Sequence, residues 1–292
     1  MRSSVRHGAE HAVRFCFAAA AGIAVLSLLG IFLYLFFTGI RVFHGVDGRA
    51  FFSGEAWNPT SYRAATWNIF PLLFGTLLVT VIAAMIVIPV GISIAIYLSE
   101  FASSRVRNFL KPVIEMIAGI PSVVFGFIGI ISLAPLIARI FGLSNGLNAL
   151  TAALLVAAVA LPTIASMSED AISAVSHRLR ESSYALGAGR WDTIRGVVLP
   201  AARSGIIAAV MLGIGRIIGE TMIVLMVAGN SRAFPSSPLS PARPITAVIA
   251  TEIKETVVGS LHWEGLFALG MLLFCLTFIL NFAAERLAGE TS

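Results

Sequence analysis

Hydrophobic positions in this chain gather into long unbroken runs, separated by short polar or basic stretches. Residues 15–40 carry no charge and follow Arg2, Arg6 and Arg14. The apolar core of a secretory signal is only ~7–15 residues long, so this run predicts an uncleaved first membrane helix. Residues 69–99 are uncharged for 31 positions, about 46 Å of helix against a hydrocarbon core of ~30 Å. That helix must tilt, bend at Pro89 or end early. Further apolar runs predict spans at 116–138, 149–167, 204–227 and 265–284. Pro121 and Pro135, inside the third, imply kinks or a broken helix, which membranes tolerate where neighbouring helices satisfy the freed backbone groups. The pattern predicts an all-α integral membrane protein with six transmembrane helices.

The polar stretches between the runs differ in character. Residues 41–67, containing GEAWNPTSY, predict a loop on the far side of the membrane, and 103–111 are basic. Residues 169–203 form the longest charged, amphipathic segment. Within it Val175, Leu179, Ser182 and Leu186 fall on one helical face. Gly187 and Gly189 then break the helix with residues that accept φ > 0. Trp191, Ile194 and Val198 start a second helical face, and Leu199-Pro200 marks the change into the fifth span. The segment predicts a short helix–turn–helix outside the membrane. Residues 244–258 are apolar but hold Glu252, Lys254 and Glu255, which predicts an outer, interfacial helix. The chain thus divides into 1–68 (tail, first helix and outer loop), a membrane body at 69–285 containing the 169–203 loop, and a tail at 286–292.

Composition agrees with a membrane protein: 58% hydrophobic, 12% charged, mean hydropathy +0.92. Soluble domains carry about twice that charge fraction. The net charge of +5 rests on 18 arginines and two lysines, which reads as basic loops rather than a nucleic-acid face. With both termini inside, inner segments hold twelve Arg or Lys and outer segments seven, so the positive-inside bias places the termini in the cytoplasm. Cys16 and Cys275 both lie in apolar runs and read as small hydrophobes rather than a disulfide or metal pair.

No G-x-x-x-x-G-K-[ST] and no Gly-Lys pair occurs, so the chain builds no P-loop of its own. The five histidines lack metal-ligand spacing, and no catalytic constellation is present. Two charges do stand inside the fifth span, Arg216 and Glu220, spaced to pair on one helix face. Ions at that depth cost ~2.5–3.5 kcal/mol each and mark either a polar path or a structural ion pair. Beside them, Gly215 and Gly219 have the spacing that lets another helix approach closely. Glu100, Glu115, Glu169 and Asp170 sit near inner span ends, where solvated carboxylates need no special role.

These residues carry a resemblance. Glu181-Ser182-Ser183-x-x-x-Gly187, followed by Val197-x-Leu199-Pro200, resembles the E-A-A-x-x-x-G … I-x-L-P cytoplasmic loop of ABC importer permeases, with serines in place of the alanines and valine in place of the isoleucine. GTLLVTVIAAMIVIPVGISIAIYLSEFA, AGIPSVVFGFIGI, LPTIASMSEDAI, GRIIGETMIVLMVAGN, HWEGLFALG and the AWNP before the second span extend the likeness over about 57–284, to the PstC-like branch of phosphate importers. The resemblance implies a type I ABC importer permease fold in a bacterial inner membrane. It implies a PstA-like second permease, two copies of a PstB-like ATPase that binds ATP and Mg, a PstS-like periplasmic phosphate-binding protein, and no cofactor or metal on this chain. Glu181, Ser182, Ser183, Gly187, Leu199 and Pro200 would couple to the ATPase, Arg216 and Glu220 would line the substrate path, and Gly215 and Gly219 would pack helices. Other readings stay open: a permease for sulfate or molybdate, an ion-coupled secondary anion transporter using Arg216 and Glu220, and a membrane scaffold.

Overall fold

The computed structural model describes residues 2–53, 56–61 and 64–289; Arg63 and the end of the 286–292 tail lie outside the described residues. The chain is built almost wholly from helices, and among the described residues six are long and apolar enough to cross a membrane. α1 (Arg2–Gly39) leads through a 3-10 turn into α2 (Gly48–Phe52) and a two-stranded antiparallel hairpin pairing Trp57 with Trp67. α3 (Phe70–Ile96) is the second span. It continues through Pro89, whose carbonyl accepts from Ser93 Oγ at 2.7 Å, and closes in a π-turn at Tyr97–Phe101.

The third span departs from its expected limits. α4 (Ser104–Ala118) is a separate amphipathic helix with no buried residue, and the chain breaks at Gly119–Pro121. The membrane-length piece begins only at α5 (Ser122–Ile128) and continues through a π-turn into α6 (Ala134–Phe141). Pro121 disfavours helical φ/ψ at the residue before it, so Met116, read from hydropathy as the start of the span, belongs to the preceding helix. Pro135, at the second position of α6, costs no hydrogen bond there.

α7 (Ala149–Ser173) is the centre of the molecule and the most buried of the spans. Its alanines at 149, 152, 153, 157 and 160 are buried, and such small residues let α3 and α10 approach closely. α8 (His177–Ala185), α9 (Arg190–Thr193) and a π-turn follow, then α10 (Leu199–Gly219) and the short α11 (Met222–Val227). α9, the π-turn and α10 form one continuous helical run over Arg190–Gly219. Leu199-Pro200 therefore does not interrupt the helical run, which passes there from the π-turn directly into α10. The run ends at Gly219, not at Val227 as hydropathy implied.

α12 (Ile245–Glu252) and α13 (Leu261–Gly289) complete the chain. Residues 244–258 are not a single interfacial helix. α12 covers eight residues, and Ile245, Thr246, Ala247 and Val248 are buried at the end of the protein opposite the 169–203 loop. There Ile245 and Val248 join Val42, Phe51, Trp57, Ile69, Leu72, Leu266 and Leu269 in an apolar cluster. α1 stays peripheral, lying along α13 through Gly39 on the Ala268 backbone and Phe32 on Phe274.

Candidate functional site: an inner loop and a broken span

The inner loop folds as two short helices around one glycine. Ser176 caps α8, accepting from Arg178 N at 3.3 Å. Beyond α8, Gly187 takes φ +82° while Ala188 N donates to Ser183 O at 3.2 Å. A side chain is strained there, so the position calls for glycine. Gly189 differs from expectation: its φ is −70°, and it begins α9 in ordinary extended geometry. Ser183 is buried, and its hydroxyl meets Thr193 Oγ1 at 2.9 Å, pinning α8 to α9. Glu181, Ser182 and Gly187 face solvent, Pro200 is exposed and Leu199 half-buried. Around them Leu179, Tyr184, Leu186 and Trp191 stand exposed, Leu186 at 88%. A large apolar cluster on a polar loop marks a surface that a partner covers.

The second constellation lies where the fifth span ends. Arg216 sits in the last turn of α10, and Glu220 follows the helix in extended conformation (φ −65°, ψ 127°). The Glu220 carboxylate turns forward and accepts from the backbone N–H groups of Thr221, Met222 and Ile223 at 3.2, 3.1 and 3.3 Å. It caps α11, satisfying donors that a helix start leaves free. Its carbonyl accepts from Thr246 Oγ1 at 2.9 Å. The expected pairing of Arg216 with Glu220 on one helix face is therefore corrected: the helix that would have aligned them stops between them. Arg216 makes no hydrogen bond or ion pair within the described residues. It lies on the exposed stripe of α10 formed with Ser204, Ala208, Leu212 and Gly219.

Among the described residues nothing packs on Gly215 or Gly219, where an added Cβ would meet open space. The close approach falls at Gly205 and Gly213 instead, one helical face away. A Cβ on Gly213 would lie 2.3 Å from Ile164 Cγ1, and one on Gly205 would lie 2.5 Å from the Ala171 Cβ.

Sequence reasoning passed over the carboxylates at these span ends, and the structure gives partners to three of the four. Glu169 is fully buried, paired with Lys111 at 2.6 Å and with Arg107, and accepts from Ser173 Oγ at 2.8 Å. Glu100 holds Arg180 through Nε at 3.2 Å and NH2 at 2.8 Å. Lys111 also meets Asp170 at 2.5 Å. Partial burial works against the Lys111 ammonium, but hydrogen bonds to Asp170 and Glu169 outweigh it and hold its pKa above the ordinary value. The available signal was spacing: Arg107 and Lys111, four apart on an amphipathic helix, present two cations on one face.

At the outer end Glu252 gathers Trp57 Nε1 at 3.0 Å, His262 Nε2 at 2.7 Å and Arg243 at 2.7 Å. Burial pushes the Glu252 carboxyl up. The bonds from His262 and Trp57 and the charge of Arg243 more than offset this and leave it below its ordinary range.

Residues 87–290 match the family model described as binding-protein-dependent transport system inner membrane component. The chain is 37% identical over 280 residues to the phosphate transport system permease protein PstC of Mesorhizobium japonicum, covering 89% of this chain and 84% of that one. It is 38% identical over 268 residues to the probable ABC transporter permease protein YqgH of Bacillus subtilis, covering 91% and 86%. Among solved structures, a bacterial alginate ABC transporter in complex with its pentasaccharide-bound periplasmic protein superposes with TM-score 0.63 at 16% identity, covering 94% of each chain. The inward-facing MetNI methionine ABC transporter superposes with TM-score 0.56 at 20% identity, covering 77% of this chain and 94% of that one. These neighbours share the type I ABC importer permease fold.

Proposed function

This chain belongs to the binding-protein-dependent inner membrane component family and, within it, to the PstC permeases, and on that footing we propose that it forms half of the translocation pathway of an ATP-driven phosphate importer. The observation that carries the reading is the identity to PstC proteins over most of both chains. The geometry supports it: a guanidinium without a partner among the described residues stands where the fifth span ends, and a loop with exposed apolar side chains stands at one end.

In this reading residues 69–285 are the permease domain, with 1–68 before it and the 286–292 tail after it. The termini and the 169–203 loop face the cytoplasm, as the arginine bias indicates. A PstA-like permease supplies the other half of the path. Two PstB-like ATPases bind ATP and Mg and seat the 169–203 loops, and a PstS-like protein delivers phosphate from the periplasm. This subunit performs no covalent chemistry. Glu181, Ser182, Gly187 and the exposed leucines meet the ATPase, Ser183 holds the loop pair together, and Leu199-Pro200 joins the loop to α10. Motion of the loop passes directly into the helix that carries Arg216, because Arg190–Gly219 is one helical run. Gly215 and Gly219, open among the described residues, receive a helix of the second permease.

The test is the four-component complex in proteoliposomes, with radiolabelled phosphate, sulfate and molybdate offered separately. ATP-dependent accumulation of phosphate alone is expected. Uptake of sulfate or molybdate in its place overturns the substrate, and uptake driven by a pH gradient without the ATPase overturns the energy source. Orientation is tested with cysteines at Ser182 and Ser53 in a chain lacking Cys16 and Cys275. Labelling of position 182 by an impermeant thiol reagent in intact cells reverses it.

A further inference from the structure

Near the loop, polar groups connect α4, α7, the end of α3 and both loop helices. α4 has no buried residue and rests chiefly on α7 and on the π-turn that ends α3. Its seat on α7 consists of half-buried Leu110, Ile114 and Ile117 and two cations, Arg107 and Lys111, which converge on Glu169. From Glu169 the network runs on. Ser173 Oγ donates to Glu169, accepts from Arg107 at 3.0 Å and meets Ser99 Oγ at 3.2 Å. Ser99 lies next to Glu100, which holds Arg180 of the loop helix α8 and, through its carbonyl, Arg190 of α9. Arg180 also donates to the carbonyls of Ile172 at 2.9 Å and Val175 beyond the end of α7. One set of charge-assisted bonds therefore links both inner-loop helices to the far side of α7 and to α4.

The other end of α4 leads to the broken span. After Gly119–Pro121 comes α5, whose Gly126 lies so close to Met226 of α11 that a Cβ would sit 2.3 Å from its sulfur. α11 begins where the Arg216 helix stops. α4 is thus a lever with the inner-loop network at one end and the broken span beside Arg216 at the other.

We propose that Glu169 is a positioning residue that couples the inner loop to this lever, so that displacement of α8 and α9 moves α4 and α5 through the Arg107–Lys111–Glu169 junction. The proposal rests on the permease reading and adds a second route of transmission, distinct from the continuous α9–α10 helix. A buried carboxylate bearing two cations suits the task. Breaking it leaves uncompensated charge, so the junction moves as a unit rather than slipping.

The test uses the four-component complex with three variants: Glu169→Gln, which keeps shape and acceptor but loses charge; Glu169→Asp, which keeps charge; and Lys111→Gln, which changes a half-buried partner. Assembly, ATP hydrolysis and phosphate imported per ATP hydrolysed are measured for each. A cysteine at Ile120, exposed at the lever's end, reports its motion by thiol reactivity with and without trapped nucleotide, again without Cys16 and Cys275. Phosphate per ATP is expected to fall about tenfold in Glu169→Gln and Lys111→Gln, with the nucleotide response at position 120 lost, and to recover in part in Glu169→Asp. A wild-type ratio with a preserved response in the variants overturns the proposal. Should Glu169→Gln fail to assemble, Lys111→Gln decides alone: an unchanged ratio and response makes the junction merely structural. If the unaltered complex shows no ATP-dependent phosphate uptake, it is the permease reading that fails, and the proposal falls with it.

Discussion

Arg216 and Glu220 stand four residues apart yet do not pair: α10 ends at Gly219, and the Glu220 carboxylate binds three backbone N–H groups at the start of α11. Their contributions to stability are therefore independent. Glu220→Leu strips the cap and is expected to destabilise by about 0.5–2 kcal/mol, while Glu220→Gln, which keeps an acceptor, loses less. Combining Arg216→Leu with Glu220→Leu is expected to give the sum of the single effects within about 0.5 kcal/mol. Thermal midpoints of the detergent-solubilised complex measure this cycle. A double variant more stable than the sum of the single effects by well beyond that margin would restore the ion pair that the sequence spacing implied.

The loop glycines are not equivalent. At φ +82° Gly187 has room for a side chain but not the backbone for one, whereas Gly189 at φ −70° has both apart from the mobile Asp192 carboxylate. Gly187→Val is expected to leave the chain inserted but to uncouple ATP hydrolysis from uptake, since a β-branched residue fits the turn poorly. Gly189→Ala is expected to transport normally. Paired ATPase and uptake assays on the reconstituted complex compare the two, and normal uptake by Gly187→Val would remove the turn from the coupling path.

Much of this was legible in the sequence because it depends on local pattern. Long apolar runs fixed the six spans, Pro121 announced the break in the third, and Glu181 through Pro200 announced the loop. What was not legible depends on which face of a helix meets which neighbour. Gly213 and Gly215 are two residues apart and look alike in sequence, but only Gly213 faces Ile164, which Gly91 of α3 crowds from the other side. Glu169 looked like a solvated span end because its cations lie on a helix 58 residues away. Glu220 looked helical because hydropathy does not register a break whose freed N–H groups a carboxylate satisfies.

The outer end carries a pH dependence whose sign follows from Glu252. Its carboxyl lies below the ordinary range in the folded protein, so its contribution is fully present above the unfolded pKa and is lost as pH falls through the folded one. The junction of α12 with Trp57, Arg243 and His262 therefore holds at neutral pH and weakens on the acid side of roughly pH 4. Glu252→Gln is expected to destabilise at neutral pH by about 1–3 kcal/mol. Thermal midpoints between about pH 6 and about pH 3 should show the wild-type and variant curves converging. Parallel curves would mean that the ionised carboxylate contributes nothing there.

The last prediction concerns the anion path. A multiply charged oxyanion crossing a low-dielectric span needs a compensating cation, and a guanidinium matches its oxygens with a planar fork. Arg216 has the placement: the last turn of α10, on the exposed stripe of that helix, free of any partner among the described residues. Holding a cation there costs ~2.5–3.5 kcal/mol on the insertion scale, a cost that either a passing anion or a carboxylate of the second permease could offset. The two cases separate experimentally. If Arg216 serves the anion, Arg216→Gln abolishes phosphate uptake while the complex still assembles and hydrolyses ATP. Arg216→Lys then retains part of the flux, keeping the charge but losing the fork. If instead a carboxylate of the second permease holds Arg216, Arg216→Gln lowers the yield of assembled complex, and flux per assembled complex stays at the wild-type level. Quantifying assembly and phosphate flux on the same preparations decides between them, and unchanged flux per complex in Arg216→Gln would take Arg216 out of the pathway.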